Sequence, residues 1–210
     1  MNAVELINVN KTIKKTTVFD SFSFKLEENK TAVFLSSNFK KLDTLARIIS
    51  LVLKIDSGTI KYYDKEVNVK DSIYNIVSFM PLKDGLSEHL TVFENIRLMA
   101  RTRDYNEVDA LKKITIYGEK YNIKSRFDDK AKTLSVSLKK LVSFLMTIIT
   151  DANILVLDNP FRGVDENTKN NLFEYIKELK GNRTIIILTD LEEAKDLADD
   201  VYFLDEKEGL

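Results

Sequence analysis

The sequence predicts an α/β fold with a mainly parallel core sheet, an antiparallel β layer near the amino terminus and an inserted α-helical subdomain. Three observations predict it. Residues 4–9 and 21–26 alternate apolar and polar residues, as half-buried antiparallel strands do. Between about residues 85 and 150 only helical patterns occur. Beyond residue 150, strand and helix patterns alternate, which indicates parallel strands joined by right-handed crossovers.

The amino-terminal half begins with two strand patterns, residues 4–9 and 21–26, around a turn-like basic stretch at 11–15. A short apolar strand follows, and then a loop and a helix that ends at a turn centred on Gly58. The predicted bounds of these later elements are strand 31–35, loop 36–43, helix 44–53, turn 56–58 and strands 59–63 and 76–79.

The rest of the chain is organised around residues 154–165, ILVLDNPFRGVD. Its apolar run predicts a strand buried on both faces of a parallel sheet. Asp158 ends that strand, where open α/β sheets bind ligands, although an acid here can also simply end the strand. The predicted elements around it are helices 92–101, 107–121 and 138–150, and then helix 166–179, strand 184–188, helix 191–198 and strand 201–204.

Composition limits the classes of function. The 210 residues predict one domain, 1–210, with an α/β core in 1–84 and 151–210 and a helical subdomain at about 85–150. The net charge of −1 argues against a nucleic-acid partner, and the lack of cysteine excludes disulfides and thiol catalysis. The start of the chain lacks a signal-peptide pattern and no apolar run reaches membrane-spanning length, so we expect a soluble intracellular protein.

Five segments, in one fixed order, resemble the nucleotide-binding subunit of ATP-binding cassette (ABC) transporters. Residues 45–60 resemble the helix and turn after its phosphate loop, and 79–96 resemble the segment that leads into its helical subdomain. Residues 134–149, 154–165 and 184–205 resemble the signature helix, the Walker B strand with the D-loop, and the switch region with the last strand. The resemblance implies a P-loop NTPase-like ABC ATPase fold over nearly the whole chain.

The phosphate loop departs from the family pattern. Where the family has G-x-x-G-x-G-K-[ST]-T, this chain reads SSNFKKLDT from Ser36 to Thr44, without a glycine. Such loops direct backbone N–H groups at phosphates, and glycine permits the close approach. The family lysine corresponds to Leu42, and the hydroxyl that binds Mg²⁺ corresponds to Asp43. Lys40 and Lys41 either compensate in part or form a solvated basic turn.

Other positions that the family uses are also changed. The adenine-stacking aromatic corresponds to Ile13, the glutamine that senses Mg²⁺ to Leu82, and the general base to Asn159. An amide positions water but does not accept its proton at neutral pH. The switch histidine has no counterpart, since the only histidine, His89, belongs to a different segment, where we expect a surface loop.

Some family positions are retained. In the signature, Leu134 and Ser135 remain, while Val-Ser-Leu replaces Gly-Gly-Gln. Asp158, Pro160, Gly163 and Asp165 match, and we favour a structural over a catalytic role for these four. The resemblance thus assigns vestigial nucleotide-binding positions, with no catalytic residue and no metal site expected: Asn38, Lys40, Lys41, Thr44, Ser135 and Asp158.

Three hypotheses follow from the resemblance. The first is a catalytically inactive subunit of a transport complex, peripheral at the inner face of the plasma membrane. Its partners would be an integral membrane permease, another ABC ATPase subunit in a homo- or heterodimer, or both. The second is a slow ATPase that binds ATP and Mg²⁺ weakly through Lys40 or Lys41. The third is a scaffold or regulatory protein outside transport. We expect no cofactor under the first and third.

Overall fold

The computed structural model describes residues 1–71, 75–101 and 107–205, and within them nine strands form two sheets. The parts of the predicted domain that fall outside these ranges are not covered. The strands in chain order are β1 Asn2–Ile13, β2 Thr16–Glu27, β3 Thr31–Leu35, β4 Ser57–Tyr62, β5 Lys65–Val67, β6 Val77–Met80, β7 Ile154–Asp158, β8 Thr184–Thr189 and β9 Asp200–Phe203. The predicted parallel core sheet and antiparallel layer are both confirmed.

The antiparallel sheet has the strand order β2-β1-β4-β5. Its first two strands are longer than predicted, because β1 and β2 pair as far as Ile13 and Thr16. The turn predicted at 11–15 therefore shrinks to Lys14 and Lys15, both at positive φ. Strand β5 was not predicted from the sequence at all.

The parallel sheet has the strand order β6-β7-β8-β3-β9, with every neighbouring pair parallel. Alternate residues of β7 enter two different cores: Val156 packs toward the antiparallel sheet, and Leu157 packs toward the helices of the opposite face. All five residues of β7 are buried, as the apolar run predicted. The carboxyl ends of β3, β7, β8 and β9 therefore share one edge of the sheet.

Five α-helices connect and cover these strands in the described residues. Their bounds are α1 Phe39–Ile49, α2 Val92–Arg101, α3 Glu107–Lys120, α4 Val136–Ile148 and α5 Glu166–Leu179. Helices α2, α3 and α4 occupy the stretch predicted to be a helical subdomain; its limits stay a prediction. Among the described residues, no helix has both the length and the apolar character that crossing a bilayer requires.

Two predicted helices were wrong in their bounds or type. Helix α1 begins at Phe39, before the predicted residue 44, because the Asn38 side chain caps it. It ends at Ile49, before the predicted residue 53, since Leu51 adopts positive φ. The segment predicted as helix 191–198 is a 3-10 helix, Glu192–Leu197, bounded by extended backbone at Leu191 and Ala198.

Candidate functional site

The candidate site lies at the carboxyl edge of the parallel sheet, where the loop after β3 meets the ends of β7, β8 and β9. Leu35, the last residue of β3, pairs with Thr189 on one side and Phe203 on the other. Asp158 pairs with Leu188 of β8. This register brings the loop 36–38 and Asp158 to the same edge of the sheet, as the sequence predicted.

Asn38 closes the loop as the N-cap of α1. Its Oδ1 accepts the backbone N–H of Lys40 at 3.1 Å and of Lys41 at 3.2 Å. Its own backbone N–H donates to Ser36 Oγ at 2.9 Å. An asparagine cap stabilises a helix by typically about 1 kcal/mol, and it uses N–H groups that a phosphate loop would offer to its ligand.

Asp205, just after β9, binds the other half of the loop. Its carboxylate accepts the Ser37 backbone N–H at 2.7 Å, the Ser37 hydroxyl at 3.1 Å and the Ser36 hydroxyl. These bonds hold the pKa of Asp205 below its usual range, and the bond from Ser36 has the largest effect. The amine of Lys41 donates to the Leu204 carbonyl at 2.8 Å, beside this carboxylate.

Leu42 and Asp43 stand at the positions where the family has its lysine and its metal-binding hydroxyl. Leu42 is fully buried in the core between α1 and the two sheets. Asp43 lies 3.6 Å from Arg47, one turn further along α1. Lys40 is exposed to solvent. Thr44 is buried, and in the part of the chain that the structure describes its hydroxyl has no hydrogen-bond partner.

Asp158 is fully buried at the end of β7. Its Oδ1 accepts from the Asn159 side-chain amide at 2.9 Å, whereas Oδ2 has no hydrogen-bond partner among the described residues. Burial raises the pKa of Asp158 to about 6; the Asn159 amide opposes the shift, and the charge of Asp43 adds to it. Asp158 is thus a buried carboxylate with one oxygen bonded to the Asn159 amide.

Asn159, at the position of the family's general base, is buried, and its side chain bonds Asp158, the last residue of β7. Its backbone adopts φ +48° and its N–H donates to the Leu188 carbonyl at 2.8 Å. An amide cannot take a proton from water at neutral pH, so Asn159 is not a general base. Its side-chain NH₂ donates to Asp158, and its Oδ1 has no hydrogen-bond partner among the described residues.

Lys140 of α4 is a buried cation that the sequence analysis missed. It is 3% exposed, and its amine donates to the Leu82 carbonyl at 2.8 Å and lies 3.9 Å from Asp84. Burial lowers the pKa of Lys140, an effect that the charges of Asp84 and Asp158 oppose. A charged residue within the apolar run of α4 was the available signal. At the family's glutamine position, the backbone carbonyl of Leu82 therefore accepts a hydrogen bond from the Lys140 amine.

The signature segment and the turn after β7 are joined to each other. Ser135 caps α4, with its Oγ accepting the Leu138 N–H at 3.2 Å, and Ser137 Oγ accepts the Asp165 N–H at 2.9 Å. Asp165 in turn caps α5 through the Thr168 N–H at 2.8 Å. Gly163 adopts φ +75° in the same turn. These contacts join the start of α4 to the turn before α5, and the structural role that we favour for the retained positions stays a prediction.

Four of the six assigned positions, Asn38, Lys40, Lys41 and Thr44, lie on the loop and first turns of α1. Asp158 lies at the end of β7, which β8 separates from β3. Ser135 lies apart, on the exposed start of α4. The residues present do not match the needs of a Mg²⁺-triphosphate group. The backbone N–H groups of Ser37, Lys40 and Lys41 are bonded within the chain. Leu42 stands where the family has a lysine, and the carboxylates of Asp43 and Asp205 border the loop. His89 is exposed in its loop, as predicted.

Comparison with known proteins identifies the family. The family model for ABC transporters matches residues 19–162. ABC transporter A family member 11 of Dictyostelium discoideum is 28% identical over 86% of this chain, which spans 22% of that protein. An uncharacterised ABC transporter ATP-binding protein of Bacillus subtilis (strain 168) is 24% identical over 94% of this chain, which spans 66% of that protein. This chain therefore covers less than two thirds of either relative.

Solved structures agree on the fold. A dimeric bacterial ABC transporter cassette superposes with a TM-score of 0.86 at 18% identity, over 95% of this chain and 93% of that one. At this identity the likeness shows the fold alone. Together with the family match over residues 19–162, it shows that this chain belongs to the ABC transporter family and corresponds to its ATP-binding cassette.

Proposed function

We propose that this chain is a non-catalytic subunit of an ABC transport complex, which keeps the cassette fold for its surfaces and does not hydrolyse ATP. One observation carries the proposal: the loop that would bind phosphate donates its N–H groups to acceptors in the chain itself. Ser37 donates to Asp205, and Lys40 and Lys41 donate to Asn38.

Energetics support this proposal. A triphosphate would have to displace these bonds. The bond from Ser37 to the Asp205 carboxylate contributes about 1.5–3 kcal/mol, and each bond to the neutral Asn38 amide contributes about 0.5–1.5 kcal/mol. It would also approach the carboxylates of Asp43 and Asp205 without the lysine that Leu42 replaces. Loss of a general base or of a charge-stabilising donor costs on the order of 10²–10⁴ in rate, and this chain lacks both kinds of group.

We propose a permease, another ABC ATPase subunit, or both as partners, with the chain peripheral at the cytoplasmic face of a membrane. Cassettes of the family pair head to tail, so that one signature faces the other chain's phosphate loop. Ser135 and Val136 are exposed at the start of α4, as such a contact requires. On α2, Val92 and Ile96 belong to the core, whereas Leu98 is 55% exposed and therefore accessible to a permease.

A pull-down combined with an ATPase assay tests both parts. The tagged full chain, expressed in its native host and solubilised in mild detergent, should retain an integral membrane protein or an intact cassette. The variant Val136→Asp should lose an intact cassette, whereas Val52→Asp is a matched control, since these valines are 55% and 56% exposed. Mg²⁺-dependent ATP hydrolysis by the purified chain, or retention of neither an integral membrane protein nor an intact cassette, would contradict the proposal.

A further inference from the structure

Asp205 stands where the loop after β3 would hold an anionic ligand. We propose that Asp205 is the specificity determinant of this site: an internal carboxylate that occupies the donors of Ser36 and Ser37 and excludes phosphate from them. This inference rests on the proposed function and deepens it, because it names the residue responsible. It predicts that the exclusion is reversed by one substitution.

The contacts of Asp205 are those of a bound anion. A backbone N–H and two hydroxyls converge on one carboxylate, from Ser37 and Ser36. The Lys41 amine is held next to it, on the Leu204 carbonyl. Backbone N–H groups, hydroxyls and an ammonium are the donors that phosphate sites use. The lowered pKa of Asp205 agrees with a carboxylate that stays ionised among these donors.

The sheet fixes Asp205 in this place. Strand β9 pairs in parallel with β3, and the Leu204 N–H donates to the Leu35 carbonyl at 3.0 Å, directly before both segments reach the loop. Asp205 needs no rearrangement to reach Ser36 and Ser37, so its effective concentration at the loop is high. A free phosphate has to compete with a group that is already tethered there.

Asp205 also sets the orientation of its neighbours. The Ser36 hydroxyl donates to Asp205 while its oxygen accepts the Asn38 N–H at 2.9 Å. Removing the carboxylate frees the Ser36 and Ser37 hydroxyls and the Ser37 N–H, and it removes one negative charge beside Lys41. The same donors then become available to an inorganic anion.

The test compares Asp205→Ala and the near-isosteric Asp205→Asn with a charge-matched control, Asp190→Asn. Asp190 is exposed, follows the neighbouring strand β8 and is not among the residues that bond Ser36 or Ser37. Each protein is heated with inorganic phosphate or pyrophosphate at constant ionic strength. An anion at about ten times its Kd should raise the Tm of Asp205→Ala by roughly 3–6 °C. The wild-type chain and Asp190→Asn should not respond.

The outcomes separate this inference from the proposed function. If neither Asp205 variant gains a response while its circular dichroism stays native, Asp205 is not the determinant, and the non-catalytic proposal is untouched. If the wild-type chain itself responds to pyrophosphate, the exclusion does not exist. If Asp205→Ala fails to fold, two other measurements test the inference: the anion response of Asp205→Asn and the NMR signal of the Ser37 amide proton in the wild-type chain. That NMR signal should titrate with the Asp205 carboxylate, and a pH-independent signal would overturn the inference.

Discussion

Restoring the family lysine at position 42 should destabilise the protein and should not create an ATP site. Leu42 is fully buried in the core between α1 and the sheets. Burying a leucine side chain is worth about 1.5–3 kcal/mol, and an amine in its place must be desolvated as well. We expect Leu42→Lys to lower the free energy of unfolding by about 3–5 kcal/mol, which corresponds to a Tm roughly 6–20 °C lower.

Urea unfolding followed by circular dichroism measures this loss, and calorimetry with Mg²⁺ and ATP measures binding. Leu42→Met is the matched control, because a volume-conserving apolar exchange costs less than about 1.5 kcal/mol. If Leu42→Lys is as stable as the wild-type chain and binds ATP, the side chain at position 42 faces an open pocket and the account of the loop is wrong.

Three further substitutions test the site and its support. Asn38→Ala removes the cap of α1 and should cost about 1 kcal/mol in urea unfolding; an unchanged midpoint would contradict the capping geometry. Because burial raises the pKa of Asp158 to about 6, the folded state holds that proton more tightly than the unfolded state, and stability from this group falls as pH rises from about 4 to 6. Asp158→Asn should remove this pH-dependent loss of stability, which amounts to about 3 kcal/mol. Equal pH profiles of stability for both proteins would refute the raised pKa of Asp158. Tyr62→Phe removes the buried hydroxyl that donates to the Ile49 carbonyl, and thermal unfolding should show a loss of about 1–2 kcal/mol; no loss would contradict this bond.

Local pattern was sufficient to predict the sheet but not the loop. The apolar run of β7 predicted a strand buried on both faces, because such a run can be satisfied only between two covering layers. The start of α1 was wrong by one turn or more. Residues 36–43 were interpreted as a loop, although Asn38 is a strong N-cap residue directly before an amphipathic helix.

The contacts that decide the chemistry were not predictable from local pattern. Ser36 and Asp205 are 169 residues apart, and Lys140 and Leu82 are 58 apart. No periodicity or propensity reports a bond between residues so distant in sequence, because only the sheet topology brings them together. The sequence therefore indicated which of the family's nucleotide-binding residues are replaced. The structure showed which side chains of this chain bond the loop and Leu82 instead.

The measurement that tests the central claim most directly is binding of ATP to the purified chain, with and without Mg²⁺, by calorimetry and thermal shift. A ligand at 100 times its Kd stabilises a fold by about 2.7 kcal/mol, or roughly 5–11 °C for a chain of this size. The account predicts no heat of binding and no shift at about millimolar ATP. Saturable, Mg²⁺-dependent binding at that concentration would contradict it.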